Sequence, residues 1–514
     1  MSSRVLSSQK QASQSAGSWI PVLLSVLLRS IQLWMPIAGI HSWRQADTAA
    51  MARHFYLSNT PIWLPQIDWG GASPGFVESE FPLFPYLTSQ LYQVFGLHEW
   101  LGRCVSILCS GLTIWLIIRL GRRWFNPAAG WWGGMAMAIA PLGIYYGRSF
   151  QAEALMLLCA AAALECHSLW TTQKLKWGLL LSWLFFTTAA LIKVIPLLWL
   201  GLPLLLVHLT PAPREPAETL RASALKLLKL VRSQGFWIYF GTSIAIISAW
   251  YFHAYNLGEA SGFSFGFWGE DSDRSNLSLI LNLSSWLNLT IRTGIRVLCV
   301  IGIPFLILGG IRSRSTGGGQ IAIGGLIGLL LCTVATMRSS TVHEYYQFPL
   351  LLFISPLTGL GWDSWQKQRN GRLIWTFLGL WMMISLTVLS IDYWAVELRQ
   401  SRTWMPLAQT IRNELPVDAR LITVTGPDPT LLNLARRQGW LISSGKISPL
   451  RLTELKQAGA SHLAGSFLWE ETYQAMPEAH QKTLRRLASS SDQGWIDERH
   501  QTFLLPLQHL PTDF

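Results

Sequence analysis

The chain has 514 residues, half of them hydrophobic and only 13% charged, with 27 Trp and a formal net charge of +12. Globular chains carry roughly 25% charged residues, so this composition excludes a water-soluble enzyme or binding module and indicates a protein that crosses a membrane several times. The positive excess does not point to nucleic acid, because Lys and Arg sit in short clusters between long apolar runs, where they set topology and meet anionic headgroups.

A helix needs about 20 apolar residues to cross the hydrocarbon core, at about 1.5 Å per residue. Eleven stretches approximately meet that length: 18–40, 100–120, 127–146, 152–170, 177–192, 194–209, 236–255, 293–311, 320–336, 346–360 and 373–391. They predict an α-helical polytopic membrane protein with about 11 transmembrane helices. Residues 1–17 read as a cytoplasmic tail. The first run is too long for a signal-peptide core and lacks a small-residue cleavage site, so it reads as a retained signal anchor. All six Cys fall inside apolar runs without a CxxC pair and read as small core residues.

One set of connections carries Arg4 and Lys10, then Arg119, Arg122 and Arg123, then Lys174 and Lys176, then Arg214, Arg221, Lys226, Lys229 and Arg232, then Arg312 and Arg314, then Lys367, Arg369 and Arg372. These alternate with the other connections, and the positive-inside rule assigns them to the cytoplasm. The remaining loops then face outward, which collects Asp47, Glu78, Glu80, Arg148, Glu153, Lys193, Arg338, His343 and Glu344 at one non-cytoplasmic surface. Residues 18–391 are expected to form the membrane domain, with outer loops 41–99 and 256–292.

In the first outer loop, 48–57 has apolar residues at helical spacing beside Arg53 and His54, as in a helix lying in the interface. Pro and Gly then break regular structure until Glu80-Phe81-Pro82-Leu83. The stretch 256–288 is rich in Gly, Ser and Asp and reads as a mobile lid; its Asn-x-Ser/Thr matches at Asn276, Asn282 and Asn288 are short enough to arise by chance. After 391 the composition changes. Helices are predicted over 402–413, 429–437, 452–457 and 471–487 and strands over 419–425 and 502–507, which makes 392–514 a small α/β domain on the non-cytoplasmic side.

Charged groups near a bilayer are costly unless partnered. The acidic candidates are Asp47, which follows His41-Ser42-Trp43-Arg44-Gln45-Ala46, together with Glu80 and Glu153. Each has a plainer alternative: Asp47 as a solvated loop residue, Glu80 as a partner of a following helix N-terminus, Glu153 as the mate of Arg148. The cationic candidates are Arg148, Lys193, Arg338 and His343, with Tyr345 and Tyr346 as hydroxyl donors. Such a cluster suits a lipid phosphate, whose oxygen gains charge as its bond breaks. Lys193 alone could be a snorkelling anchor, although it lies on the side the positive-inside rule disfavours.

Trp43-Arg44-Gln45-Ala46-Asp47-Thr48 after the first run, Glu80-Phe81-Pro82-Leu83 before the second, Glu153, Lys193, and His343-Glu344-Tyr345-Tyr346-Gln347-Phe348-Pro349 resemble, in this order, the C-type superfamily of membrane glycosyltransferases (GT-C). The nearest branch is that of protein O-mannosyltransferases and lipid A aminoarabinose transferases, glycosyltransferase family 39 and its relatives. The resemblance implies transfer of a sugar from a polyprenyl-phosphate donor to a lipid, glycan or protein hydroxyl on the outer side of a bacterial plasma membrane, with inversion. It implies Asp47 as general base, ionised at neutral pH, and Glu80 and Glu153 as catalytic partners that position sugar or acceptor. It implies Arg44, Arg148, Lys193, Arg338, His343, Tyr345 and Tyr346 as substrate contacts. Phe81 stands where relatives often carry a basic or second proline-type residue, and Glu153 where Asp is common. No cofactor is required, while a divalent cation near Asp47, Glu80 or Glu153 is compatible with the carboxylates. A transporter or lipid flippase is the competing reading, but the chain shows no internal repeat and its charges gather at one surface instead of the midplane.

Overall fold

The computed structural model describes residues 19–210, 213–214, 220–265, 277–468, 477–490 and 494–510. The predicted tail 1–17 with Arg4 and Lys10, the Arg221 side chain, the centre of the predicted lid with Asn276, and the start of the helix predicted from 471 lie outside those residues.

Each of the eleven apolar stretches contains helix. Among the described residues five helices are long and apolar enough to cross a membrane, or six if the bent pair Leu283–Val297 and Gly302–Ser313 is one span. The others are interrupted where the sequence dictates it. Pro141 divides 127–146 into Pro127–Ile139 and Pro141–Tyr146, and Ala140 before it is extended, as a residue preceding proline prefers. The 194–209 stretch becomes Pro196–Trp199 and Gly201–Leu209, with Pro196 at the first helical turn, where its missing N–H is tolerated. The last predicted span does not stop at 391: helix runs through Gly371–Glu414, with a π turn at Leu389–Trp394. The chain is an integral membrane protein.

The predicted lid is largely helical where described. Helix Gln234–Ser261 covers its start, and Leu277–Leu281 and Leu283–Arg292 its end. Helix Leu283–Arg292 is capped by Asn282, whose side chain accepts from Ser284 N.

The chain divides into two compact units that do not follow chain order. The first comprises Met1–Leu33, Arg103–His253 and Gly266–Ser390. Its centre is a close packing of Gly302–Ser313 and Pro127–Ile139 against Leu351–Gln366. Gly133, Gly309, Gly359 and Gly361 permit it, since a Cβ on any of them would meet the backbone of the facing helix; small residues at helix contacts are a membrane-protein device for close approach.

The second unit comprises Trp34–Gly102, Ala254–Phe265 and Ile391–Phe514, so the first outer loop belongs with the carboxy-terminal residues. Its sheet has strands β1 (Arg420–Val424), β2 (Gly439–Leu441), β3 (Ala460–Ser466), β4 (Trp495–Asp497) and β5 (Thr502–Pro506) in the order β2-β1-β3-β5-β4. The first three neighbours are parallel, and β5 is antiparallel to β3 and β4. Alternate residues face two cores. Ile422, Leu463 and Phe503 meet Leu484 and Leu487 on one side, and Leu421, Ala464 and Leu504 meet Trp404, Leu407 and Ile411 of helix Ala395–Glu414 on the other. Arg437 donates to the Ile411 and Leu415 carbonyls and so satisfies the end of that helix.

Candidate active site

Asp47 lies in helix Ser42–Ser58, not in an open loop. Ala46, Ala49, Ala50 and Ala52 favour helix and let its flanks approach neighbours closely. The helix packs against Leu83–Phe95 and Thr430–Ala435, and residues Ala49 to Phe55 are all buried. The expectation of an interfacial helix over 48–57 is therefore corrected: apolar spacing on one side was visible, but both sides are covered. His41 and Asn59 bound this helix in left-handed backbone conformation, with φ of 52° and 48°.

The charges around Asp47 are arranged in pairs. Arg44 pairs with Glu80 and lies over the Phe265 ring. Arg53 pairs with Asp68, which also takes His54 Nε2 at 3.0 Å. Burial pulls the Asp68 carboxyl up, but Arg53 and His54 outweigh it and hold it below the usual carboxylate range. Asp47 has a different environment. Trp69 Nε1 donates to its Oδ1 at 2.9 Å, and only 4% of the residue is exposed. Burial pushes its carboxyl up to about 7 against the Trp69 bond and the Arg44 charge, with Asp68 and Asp428 adding to the push. Burial, with no cation paired directly to it among the described residues, thus brings the pKa of the Asp47 carboxyl close to neutral pH.

Carboxy-terminal residues fix this assembly. Arg53 Nη1 donates to Asn433 Oδ1 at 2.7 Å, Asn433 Nδ2 to Glu99 Oε1 at 3.2 Å, and Thr430 Oγ1 to Ser42 Oγ at 3.0 Å. Gly439 N donates to the Asp68 carbonyl and Gly71 N to the Gly439 carbonyl, each at 2.9 Å, so the loop after Asp68 runs along the edge strand β2. Glu78 is buried and accepts from Ser264 Oγ.

In the first unit, Glu153 opens helix Glu153–Gln173, and Lys193 is the extended residue ending Gly178–Ile192. Lys193 Nζ lies 2.6 Å from Glu153 Oε1, and both side chains are buried. Its ammonium also sits 4.7 Å over the Tyr345 ring and 5.5 Å over Tyr346, a cation–π arrangement. His343 stacks on Tyr345 at 5.3 Å. The 3-10 turn Glu344–Leu350 presents these rings, and Glu344 behind them pairs with Arg296 and accepts from Tyr146 OH at 2.8 Å. Arg148 is buried, donates to the Gln32 carbonyl at 3.1 Å and lies over Tyr145.

The structure thus brings together Asp47, Arg44 and Glu80 in one unit, and Glu153, Lys193, His343, Tyr345 and Tyr346 in the other. Arg338 is exposed on helix Met337–Val342 and makes no side-chain hydrogen bond or ion pair among the described residues. Sequence reasoning missed Asp68, Trp69 and Arg296. Asp68-Trp69 stands in a stretch rich in Pro and Gly that carries no periodicity, and nothing local links Arg296 to Glu344. Among the described residues no three His, Cys, Asp or Glu side chains converge as metal ligands.

Residues 79–231 match the family model for dolichyl-phosphate-mannose-protein mannosyltransferases. The apo crystal structure of ArnT from Cupriavidus metallidurans superposes with a TM-score of 0.63 at 15% identity, over 96% of this chain and 98% of that one. ArnT bound to undecaprenyl phosphate gives 0.62 at 14% identity, over 95% and 97%. The fold is that of the C-type membrane glycosyltransferases. Oligosaccharyltransferase AglB from Archaeoglobus fulgidus, in complex with an inhibitory peptide and a dolichol-phosphate, shares the C-type fold with a TM-score of 0.53 at 11% identity, over 90% of this chain and 70% of that one. No curated protein matches the sequence significantly. The matched family segment contains Glu80, Arg148, Glu153 and Lys193, while Asp47 precedes it and the Tyr345 turn follows it.

Proposed function

We propose that this protein is a membrane glycosyltransferase that moves a hexosyl or pentosyl unit from a polyprenyl-phosphate donor to a hydroxyl of a lipid, glycan or protein acceptor, on the non-cytoplasmic face of a bacterial plasma membrane. The observation that carries the reading is the setting of Asp47: a buried carboxyl that accepts one indole hydrogen bond and has no cation paired directly with it among the described residues, so that burial pushes its pKa up to about 7. A general base works best when its pKa lies near the operating pH, and a purely structural carboxyl at this depth would be paired, as Asp68 is.

In the reaction the acceptor oxygen bonds to the anomeric carbon, its proton passes to the Asp47 carboxylate, and the carbon–oxygen bond to phosphate breaks with its electron pair on the phosphate oxygen. Glu80, held by Arg44, orients sugar or acceptor. Lys193, held by Glu153 and by the faces of Tyr345 and Tyr346, neutralises the departing phosphate. Stabilisation that grows as the oxygen gains charge lowers the barrier and not merely the binding energy. The C-type fold and the mannosyltransferase family match over 79–231 support the same donor class.

Purified protein supplied with radiolabelled polyprenyl-phosphate sugar and hydroxyl acceptors tests this. Covalent transfer to an acceptor is expected. Uptake of label into vesicles without a covalent product would establish transport instead.

A further inference from the structure

The far ends of the helices bearing Glu153 and Lys193 enclose a cavity of about 550 Å³, within the roughly 300–1,000 Å³ of typical small-molecule pockets. Its walls are apolar and aromatic, including Leu204, Leu205, Phe236, Tyr239 and Phe240. His167 lines it fourteen positions after Glu153, so about 21 Å separates it from the Glu153–Lys193 pair at about 1.5 Å per residue. The two sites are distinct.

His208 and Ser233 are among the polar residues that line this space, and two further polar features there define the ligand. His167 is 7% exposed; its Nδ1 engages Ser182 Oγ at 3.3 Å, and its Nε2 has no hydrogen-bond partner among the described residues. A buried ring nitrogen without a partner is costly, and here it lines a space large enough for one. Second, Lys226 and Lys229 also line the cavity. They are three apart on helix Leu220–Val231 and so share a face. That helix exposes Leu225, Leu227 and Leu228, the character of a helix lying at a bilayer surface. The loop belongs to the basic set that the positive-inside rule assigns to the cytoplasm, the face rich in anionic lipid.

We propose that this cavity binds one anionic phospholipid from the adjoining leaflet. Its phosphate meets Lys226 and Lys229, a glycerol ester carbonyl accepts from His167 Nε2, and one acyl chain lies among Leu204, Phe236 and Phe240. Charge complementarity selects an anion, and the aliphatic and aromatic lining selects one with a hydrocarbon chain. The leucines of Leu220–Val231 keep the entrance beside the lipid from which the ligand comes. The site is independent of sugar transfer.

Native mass spectrometry of the full-length protein, with phosphatidylglycerol or phosphatidylcholine added during detergent exchange, tests this. Wild type should retain one phosphatidylglycerol. Lys226→Gln/Lys229→Gln should retain it roughly 30-fold less tightly, at about 1 kcal/mol per lysine, with an unchanged lipid-free melting temperature. Phosphatidylglycerol brominated on its acyl chains should quench a fluorescence component that Trp170→Phe removes, since Trp170 lines the same cavity. Equal retention by the lysine variant, equal retention of phosphatidylcholine, or tighter retention of polyprenyl phosphate at these residues would each overturn the assignment.

Discussion

The ammonium of Lys193 is 2.6 Å from the Glu153 carboxylate and 4.7 Å above the ring of Tyr345. Removing one member of a buried pair leaves the other uncompensated, at a cost of about 3–5 kcal/mol. Lys193→Ala should therefore lower both stability and donor affinity, which separates poorly in one assay. Lys193→Met with Glu153→Gln removes both charges together. The double variant should melt within a few degrees of wild type yet show a donor KM raised at least about tenfold, the order expected when a charge-assisted phosphate contact worth about 1.5–3 kcal/mol is lost. Unchanged donor KM in a folded double variant would rule out a phosphate role for Lys193.

Asp47 must be ionised to accept a proton, so kcat/KM should rise with pH up to a plateau above about 7, falling about tenfold per pH unit below it. Asp47→Asn should reduce transfer by about 10²–10⁴. The sign for stability is opposite. The folded protein holds the Asp47 proton up to about pH 7, whereas the unfolded chain releases it near pH 4. The carboxyl therefore costs nothing at pH 4, costs progressively more as pH rises to 7, and costs its full amount above. Asp47→Asn should melt higher than wild type at pH 8 and at nearly the same temperature at pH 4. A flat pH–rate profile between 5.5 and 8 would exclude Asp47 as the titrating base.

Trp69 tunes that base. Its indole packs edge-on to Phe263 at 5.6 Å, so Trp69→Phe keeps an aromatic ring in place while deleting the donor to Asp47 Oδ1. Without that hydrogen bond the charged carboxylate is less favoured. The acidic limb of the rate profile should move to higher pH, with the plateau rate little changed; a limb that stays in place would show that the bond does not reach the reacting carboxylate.

Gly309 and Gly361 set the spacing between Gly302–Ser313 and Leu351–Gln366. A side chain at Gly309 would meet the Leu357 carbonyl, and one at Gly361 the Phe305 carbonyl. Overpacking costs typically about 1–3 kcal/mol even where neighbours can move, and backbone cannot give way as a side chain can. Gly309→Val should sharply reduce the monodisperse peak in detergent chromatography, while Gly310→Val, which faces open space, should leave it intact.

Hydropathy made the membrane helices legible because burial in lipid demands long apolar runs, and Asp47 stood out because it closes a polar run directly after one. What escaped the sequence was pairing over distance. Asp68 sits among Pro and Gly with no pattern around it, and its link to Arg53 exists only once the chain folds back. Strand β3, Ala460–Ser466, has small residues of weak strand preference and is held by β1 and β5 on either side. The short strands β2 and β4 have only three residues each, too few for an alternating pattern. The α/β character of the carboxy-terminal residues was readable, but their packing on the Asp47 helix was not, since Thr430 and Asn433 carry no local sign of their partners Ser42 and Arg53.

The left-handed residues His41 and Asn59 close the Asp47 helix at both ends, and this gives the seventeen residues between them the character of a ruler. Inserting or deleting one position there would turn everything beyond it by about 100°, swinging Arg53 and His54 off Asp68 or Asp47 off its indole. Homologous chains that keep the same chemistry should consequently drift freely in the identity of the exposed positions while conserving the count.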